Sequence, residues 1–149
     1  MNTTQERTPW DTYFMNITIE IAKRSTCLRH QIGAVIVKNN IIVSSGFNGA
    51  PRGLPHCIET SCIRNKLSIL SGTQLELCEG VHAEQNALLQ AGKDALGATL
   101  YINAWPCKPC AKLIINAQIK RVVVTNSYID DSGIRLLQHA NIEVVYLKL

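Results

Sequence analysis

The chain has 149 residues, a formal net charge of +4 and hydrophobic residues at 46% of its positions. This length predicts a single domain over residues 1–149, large enough to bury a core without disulfide bridges. The basic residues are scattered, and at most two are adjacent, as at Lys23-Arg24 and Lys120-Arg121. This pattern argues against a nucleic-acid-binding arm and fits a small anionic ligand better than a polyanion.

The role of the six cysteines depends on the cellular compartment in which the protein works, because that compartment sets their redox state. The start of the chain, Met1 to Trp10, is polar and shows no apolar signal region, and no apolar run approaches the length of a membrane span. We therefore expect a cytoplasmic protein with neither membranes nor nucleic acids among its partners. Thiols stay reduced in that compartment, so clustered cysteines are expected to bind a metal.

The first third of the chain predicts a helix followed by a hairpin. Apolar residues with helical spacing cover Trp10–Arg24. Two β-branched runs follow, Ile32–Val37 and Ile41–Phe47, and they are separated by three polar residues. The range Gly46–Gly80 is then rich in glycine and proline and contains Cys57, Cys62 and Cys78. It predicts a cysteine-bearing insertion at about residues 50–80, tied down by something other than a core.

Helices and strands alternate after Gly80. The predicted helices are His82–Gln90, Pro106–Ala117 and Asp131–Ala140, and the predicted strands are Ala98–Asn103, Arg121–Thr125 and Ile142–Leu147. The full order α-β-β-α-β-α-β-α-β predicts a three-layer α/β domain with a mixed five-stranded sheet.

Two short motifs carry the chemistry: His82-Ala83-Glu84, and the segment Pro106–Cys110, which reads P-C-x-x-C. One imidazole and two thiolates supply the N and S ligands of a tetrahedral zinc ion whose fourth position is open to water. Cys107 and Cys110 are three residues apart, so both can face one ion from a helix start. A lone C-x-x-C is often a redox or structural zinc motif, but its combination with H-x-E is the signature of zinc-dependent nucleobase deaminases.

Longer stretches resemble the zinc-dependent cytidine/deoxycytidylate deaminase family from Trp10 to Leu147. They are RSTCLRHQIGAVIV at Arg24–Val37, GFNGAPRG at Gly46–Gly53, HAEQNALLQA, and PCKPCAKLIINAQIKRVVV. Phe47 stands where the family more often has tyrosine. The combination of the N-G-x-P-x-G loop with the second zinc helix resembles the members that act on deoxycytidine monophosphate (dCMP).

The resemblance implies a cytidine deaminase-like fold and hydrolysis of dCMP to dUMP and ammonia, which supplies dUMP for thymidylate synthesis. It also implies a homo-oligomer, often a hexamer, with possible allosteric control by dCTP and dTTP through the Gly46–Gly53 loop. Glu84 would be the acid/base that moves protons between water, the base and the leaving ammonia. His82, Cys107 and Cys110 would bind the catalytic zinc.

Further site residues follow from the same resemblance. Asn48 would contact the substrate, although Asn48-Gly49 is also an ordinary turn signal. Arg24, Ser25 and Tyr128 would bind near the phosphate. The alternatives are a solvated cation at a helix end for Arg24 and an aromatic residue packed at the rim for Tyr128.

Four cysteines remain: Cys27, Cys57, Cys62 and Cys78. This number suits a closed structural zinc site, which would clamp an insertion with little apolar content. By resemblance, Cys27 and Cys57 match positions where some family members bind a second zinc. One or two of the four could instead be buried thiols, and His56 could replace one as a ligand.

Two alternatives to dCMP deamination stay open. A deaminase of the same family could act on tRNA adenosine, cytidine or a pyrimidine intermediate, although a tRNA-binding enzyme would be expected to show a broader basic face. The chain could also be a zinc-stabilised accessory protein without activity. Glu84 argues against the second alternative, since a purely structural zinc has no use for a carboxylate beside it.

Overall fold

The structure is a computed structural model that describes residues 5–128 and 130–149, so residues 1–4 of the predicted domain lie outside it. The five strands are β1 (Gly33–Lys38), β2 (Ile41–Phe47), β3 (Thr99–Ile102), β4 (Arg121–Val124) and β5 (Glu143–Tyr146). The helices are α1 (Trp10–Ala22), α2 (Cys57–Thr60), α3 (Ile63–Lys66), α4 (Ala83–Ala91), α5 (Lys108–Asn116) and α6 (Ser132–His139). Two 3₁₀ turns lie at Leu75–Leu77 and Gly92–Ala95.

The strands form one sheet in the order β2-β1-β3-β4-β5. Strand β1 is antiparallel to both β2 and β3, whereas β3, β4 and β5 are mutually parallel. Asn39 and Asn40 make the β1–β2 turn with φ of 53° and 60°, a backbone conformation that asparagine tolerates and that matches the twist of a hairpin. The mixed five-stranded sheet predicted from the sequence is confirmed.

Alternate strand residues fill two separate cores, one on each face of the sheet. On one face, Val35 and Tyr101 pack with Phe14 and Met15 of α1. On the other, side chains that include Ile36, Leu100 and Val122 pack with residues of α4, α5 and α6. The strands are apolar on both sides because helices cover both faces. The three-layer α/β/α arrangement is therefore also confirmed.

The first helix and the insertion differ in detail from the prediction. Helix α1 ends at Ala22, and the amides of Lys23, Arg24 and Ser25 then bond to carbonyls three residues back, which tightens the chain out of the helix. The insertion is not wholly irregular, since it contains α2, α3 and a 3₁₀ turn. These elements are too short to give a periodic pattern that the sequence could reveal.

The two ends of the insertion are joined directly. Gly49 and Val81 form an antiparallel bridge, with N–H···O distances of 3.2 and 2.8 Å in the two directions. Helix α4 begins immediately afterwards and packs on β2 at Gly46, where a Cβ would lie 2.5 Å from the Ala83 carbonyl oxygen. Glycine at this position therefore allows the start of α4 to sit against the sheet. None of the helices in the described part of the chain is long and apolar enough to cross a membrane.

Candidate metal centre and substrate cavity

His82 is held at the beginning of α4. Its backbone N–H donates to Oε1 of Gln85 at 2.8 Å, which ties the residue before the helix to the first helical turn. Val81, the preceding residue, is fixed by its bridge to Gly49. The imidazole therefore projects from a backbone that is anchored on both sides, an arrangement suited to a metal ligand.

The two cysteines of P-C-x-x-C lie at the beginning of α5. Cys107 precedes the helix in an extended conformation, and its carbonyl accepts a hydrogen bond from the Ala111 amide at 2.9 Å. Pro109 occupies the first turn, where its missing N–H costs no helical hydrogen bond. Cys110 follows on the buried face of the helix. Both sulfurs lie at a helix N-terminus, which favours thiolates.

These three side chains converge on one point. Nδ1 of His82 lies 3.4 Å from Sγ of Cys107 and 3.2 Å from Sγ of Cys110. Neighbouring N and S ligands of a tetrahedral zinc ion are about 3.6 Å apart, given the usual Zn–N and Zn–S bond lengths. Within residues 5–128 and 130–149 this is the one group of three or more His, Cys, Asp or Glu residues whose ligand atoms all lie within 4.8 Å of one another. The donor set and its spacing fit zinc.

The surroundings of the two thiols shift their pKa values in opposite directions. A hydrogen bond with Cys110 lowers the pKa of Cys107 to about 4, and the His82 imidazole acts in the same direction. The same hydrogen bond raises the pKa of Cys110, and burial adds to the effect. A zinc ion binds both sulfurs as thiolates, so its binding would release the proton that the pair shares.

Glu84 lies on α4 two residues after His82, outside the three-ligand group but in the same cavity. Its side chain is only 5% exposed. Burial raises the pKa of its carboxyl above the ordinary value. A carboxyl group that lies in a cavity and has a raised pKa is the kind of group that serves as a general acid/base.

The cavity beside these residues has a volume of about 440 Å³. Its walls come from the loop before β1, the Asn48 loop, the insertion, the start of α4, and the segments after β3 and β4. Asn48 lines it, and its Oδ1 accepts from the Ile32 amide at 2.9 Å while Nδ2 donates to the His30 carbonyl at 2.8 Å. Asn48 therefore fixes the cavity wall, and its remaining N–H and lone pair are available to a ligand.

The three residues predicted near a phosphate are placed differently from one another. Tyr128 lines the cavity, with its ring edge-on to His30 at a centroid distance of 6.1 Å. Arg24 is exposed and is not among the lining residues. Ser25 is buried outside the cavity, where its Oγ accepts from the Cys27 amide at 3.2 Å. Binding roles for all three stay predictions.

The cavity also contains residues that the sequence did not single out, namely Arg29, His30, Arg64, Asn103 and Trp105. Trp105 directly precedes the P-C-x-x-C segment, so its position in sequence was an available signal. Arg64 gave none, because it lies in a four-residue helix inside the insertion.

The four other cysteines are near one another without forming a second compact ligand group. No three of them meet the 4.8 Å separation in the described residues. The pKa of Cys57 is raised by burial and, in smaller part, by Cys62, Cys78 and Cys27, so Cys57 lies close to all three. All four are free thiols.

A three-layer α/β domain with one imidazole, two thiolates and a buried carboxyl at one cavity defines a class of zinc-dependent hydrolytic enzymes that act on amino-bearing rings. Residues 8–126 match the family model for the cytidine and deoxycytidylate deaminase zinc-binding region. The chain belongs to the cytidine and deoxycytidylate deaminase family. Its cofactor is zinc, for which His82, Cys107 and Cys110 are the candidate ligands.

Individual relatives agree with this assignment. The chain is 39% identical over 147 residues to deoxycytidylate deaminase of Schizosaccharomyces pombe, covering 97% of this chain and 46% of that protein. It is 41% identical over 123 residues to deoxycytidylate deaminase of Mycobacterium phage D29, covering 78% of this chain and 94% of that protein. The chain thus spans about half the length of the S. pombe relative and nearly all of the phage one.

Solved structures give the same fold. The dCMP deaminase of cyanophage S-TIM5, crystallised in complex with dCMP and dUMP, superposes with a TM-score of 0.79 at 29% sequence identity. The alignment covers 96% of this chain and 100% of that one.

Proposed function

We propose that this chain hydrolyses dCMP to dUMP and ammonia, and so supplies dUMP for thymidylate synthesis. The observation that carries the proposal is the position of Glu84, a buried carboxyl with a raised pKa in the same cavity as the His82–Cys107–Cys110 group. The similarity to deoxycytidylate deaminases of a yeast and a phage supports dCMP as the substrate.

The reaction requires protons to move in a fixed order. A zinc ion held by His82, Cys107 and Cys110 would lower the pKa of water toward neutrality and so supply a nucleophile. Glu84 accepts a proton from the attacking water and passes it to the ring nitrogen of cytosine next to the amino-bearing carbon. It then passes the second proton of that water to the departing amine, which leaves as ammonia and leaves a carbonyl on the ring. Glu84 ends the cycle in its starting state.

The remaining proposed contacts orient the nucleotide. Asn48 offers its free N–H and lone pair to the sugar or the base edge, and Tyr128, which lines the same cavity, offers its phenolic group. Arg24 and Ser25 stay proposals for the phosphate region by family resemblance alone. Their positions outside the cavity lining give them no direct support.

An ammonia-release assay on dCMP, CMP, deoxycytidine and dCTP tests the proposal. We expect dCMP to be turned over with the highest kcat/KM. If CMP, deoxycytidine or dCTP is preferred instead, that compound is the substrate and the proposal of dCMP is wrong, although the family assignment stands. Turnover of none of the four would favour the alternatives, a deaminase of tRNA adenosine or of a pyrimidine intermediate, or an inactive accessory protein.

We also propose a structural zinc held by Cys27, Cys57, Cys62 and Cys78. Two of these sulfurs accept a hydrogen bond from the backbone amide two residues further on, Arg29 to Cys27 and Gly80 to Cys78, both at 3.4 Å. Such bonds favour the charged thiolate form that a metal needs. Because the four sulfurs are not yet within one ligand sphere, binding would draw the insertion together.

The proposal also covers the domain organisation, cellular location, assembly and regulation of the chain. The chain would form one deaminase-type domain over residues 1–149 with the insertion at about 50–80, and the single five-stranded sheet supports this. It would work in the cytoplasm, where its free thiols stay reduced. It would assemble into a homo-oligomer, possibly a hexamer, with dCTP and dTTP as allosteric effectors. Family resemblance is the support for assembly and regulation.

A further inference from the structure

Two arginines face the substrate cavity without a role in the chemistry described above. Arg64 lies in α3 of the insertion and Arg29 lies in the loop before β1, and both line the cavity. Arg64 is only 6% exposed. Arginine is rarely buried to this extent unless an anion accompanies it.

Their hydrogen bonds leave donors unused. Nη1 of Arg64 donates to the Thr73 carbonyl at 3.4 Å, and its buried Nε has no partner within the described residues. Arg29 is tied to the insertion through Nε, which donates to Oδ1 of Asn65 at 2.7 Å, while its buried Nη1 has no partner there either. Across residues 5–128 and 130–149, neither guanidinium lies within 4.0 Å of a carboxylate.

The charge in this part of the cavity is therefore uncompensated. Glu84 is the one acidic side chain among the described lining residues. The pKa of His30, which also lines the cavity, is lowered by burial and then by Arg64 and Arg29, so three basic side chains share one region. A buried cation without a counter-ion is costly, and a ligand that supplies an anion relieves that cost.

We infer that Arg64, together with Arg29, binds the 5′-phosphate of the nucleotide in the cavity and makes the enzyme select a monophosphate over a nucleoside. A guanidinium presents paired N–H donors that match phosphate oxygens. This inference rests on the proposed function and deepens it. It gives the insertion a role, since Arg64 lies in a short helix of the insertion, two residues after Cys62.

A structural role for the same charges makes a different prediction. Arg29 and Arg64 both act to lower the pKa of Cys62, against the effect of its burial, so they could instead serve to stabilise thiolates in the insertion. In that case removal of Arg64 would release zinc or loosen the insertion, and dCMP and deoxycytidine would be affected alike. The phosphate role predicts a loss confined to the monophosphate.

The test compares Arg64→Gln and Arg64→Lys with the unmodified zinc-loaded chain. Calorimetric titration measures dUMP binding, and steady-state assays measure kcat/KM for dCMP and for deoxycytidine. We expect Arg64→Gln to weaken dUMP binding and to lower kcat/KM for dCMP by roughly 10- to 100-fold, with deoxycytidine turnover and zinc content unchanged. Arg64→Lys keeps the charge without the paired donors. Its dUMP affinity and its kcat/KM for dCMP should lie between those of Arg64→Gln and those of the unmodified chain.

Lys66→Gln is the matched control, because Lys66 is an exposed cation of the same short helix and does not line the cavity. It should bind dUMP normally. Unchanged dUMP binding in Arg64→Gln, an equal loss for dCMP and deoxycytidine, or loss of zinc would each overturn the inference. If Arg64→Gln does not fold, Arg64→Lys decides by the same measurements. If the unmodified chain binds dUMP through Arg64 but does not deaminate dCMP, the proposed function fails and the phosphate site stands.

Discussion

Gly133 of α6 packs directly on the backbone of Pro106, so closely that a Cβ on Gly133 would overlap the Pro106 carbonyl oxygen and lie 2.9 Å from the carbonyl carbon of Cys107. Helix α6 carries none of the proposed metal ligands, yet it supports the segment that presents Cys107. The position of this sulfur therefore depends on a glycine that lies 26 residues further along the chain (133 − 107).

Gly133→Ala should displace the Pro106–Cys107 backbone and weaken the zinc site. The added methyl group meets backbone atoms, which cannot move aside as a flexible side chain can. We expect lower zinc content and a loss of kcat of about 100-fold, since a displacement of about 1 Å at a reacting centre has an effect of that size. Arg135→Ala, at an exposed position of the same helix, should change neither. Full zinc content and full activity in Gly133→Ala would contradict this account.

Glu84→Gln should abolish turnover without removing zinc. The amide cannot accept or release the proton that the reaction requires, and general acid/base groups contribute about 10²- to 10⁴-fold to rate. Zinc is measured by elemental analysis and activity by ammonia release. Glu76→Gln, an exposed acidic residue that does not line the cavity, serves as the control. If zinc were lost with Glu84, the carboxylate would be a ligand and the assigned role would be wrong.

Replacement of Cys62 by serine should lower the zinc content from near two to near one per chain. Serine is a poor zinc ligand, and the other three cysteines cannot close a tetrahedral site alone. Cys110→Ser should also give near one, by loss of the other ion. The two variants differ in activity, because only Cys110→Ser removes the proposed catalytic centre. One zinc in the unmodified chain would refute the second site.

Asp11→Asn should destabilise the fold on the face of the sheet away from the cavity. Oδ1 of Asp11 accepts hydrogen bonds from Nη1 of Arg121 at 2.8 Å and from the hydroxyl of Tyr101 at 2.7 Å. Hydrogen bonds to charged groups contribute about 1.5–3 kcal/mol each. We therefore expect the free energy of unfolding, measured with urea, to fall by roughly 1.5–3 kcal/mol. Glu20→Gln, which removes an exposed pair with Lys23, should cost under about 1 kcal/mol.

The effect of Asp11 should also depend on pH. The hydrogen bond from Arg121 holds the pKa of Asp11 below its ordinary value of 3.8 in the folded chain. Its contribution is therefore fully present above that value and is lost as the pH falls through the lower, folded pKa. The difference in unfolding free energy between the unmodified chain and Asp11→Asn should shrink below pH 3.8. A difference that stays constant down to acid pH would rule out the charged pair as its cause.

The sequence predicted the sheet well because its strands carry strong local signals. Residues 41–47 were bounded correctly as β2, since β-branched residues and the Asn39-Asn40 turn mark that strand. Helices α4 and α5 each begin one or two residues away from the prediction, because His82 and Cys107 precede their helices in extended conformations. Helix ends depend on backbone hydrogen bonds that a residue pattern marks only approximately.

The residues of the candidate site also fall into those that the sequence suggested and those that it did not. His82, Cys107 and Cys110 were proposed as ligands from the sequence, because a metal centre requires particular residue types at short spacings, and the structure brings the three together. Arg29 and Arg64 were not proposed as site residues, since a cation in a loop or in a four-residue helix carries no local signature of its ligand. Tyr128 was proposed by resemblance, and the structure places it in the lining of the same cavity as Asn48.

The sequence by itself therefore determined the layered α/β fold from local periodicity, and its short motifs and family resemblance supplied the candidate zinc ligands and the proposed acid/base. Only the tertiary structure decided what surrounds them: the burial of Glu84, the support of Pro106 by Gly133, and the two arginines turned toward the cavity. These features join residues from distant segments. Their geometry and burial arise when the insertion, the sheet and three helices pack together, which no single stretch of sequence records.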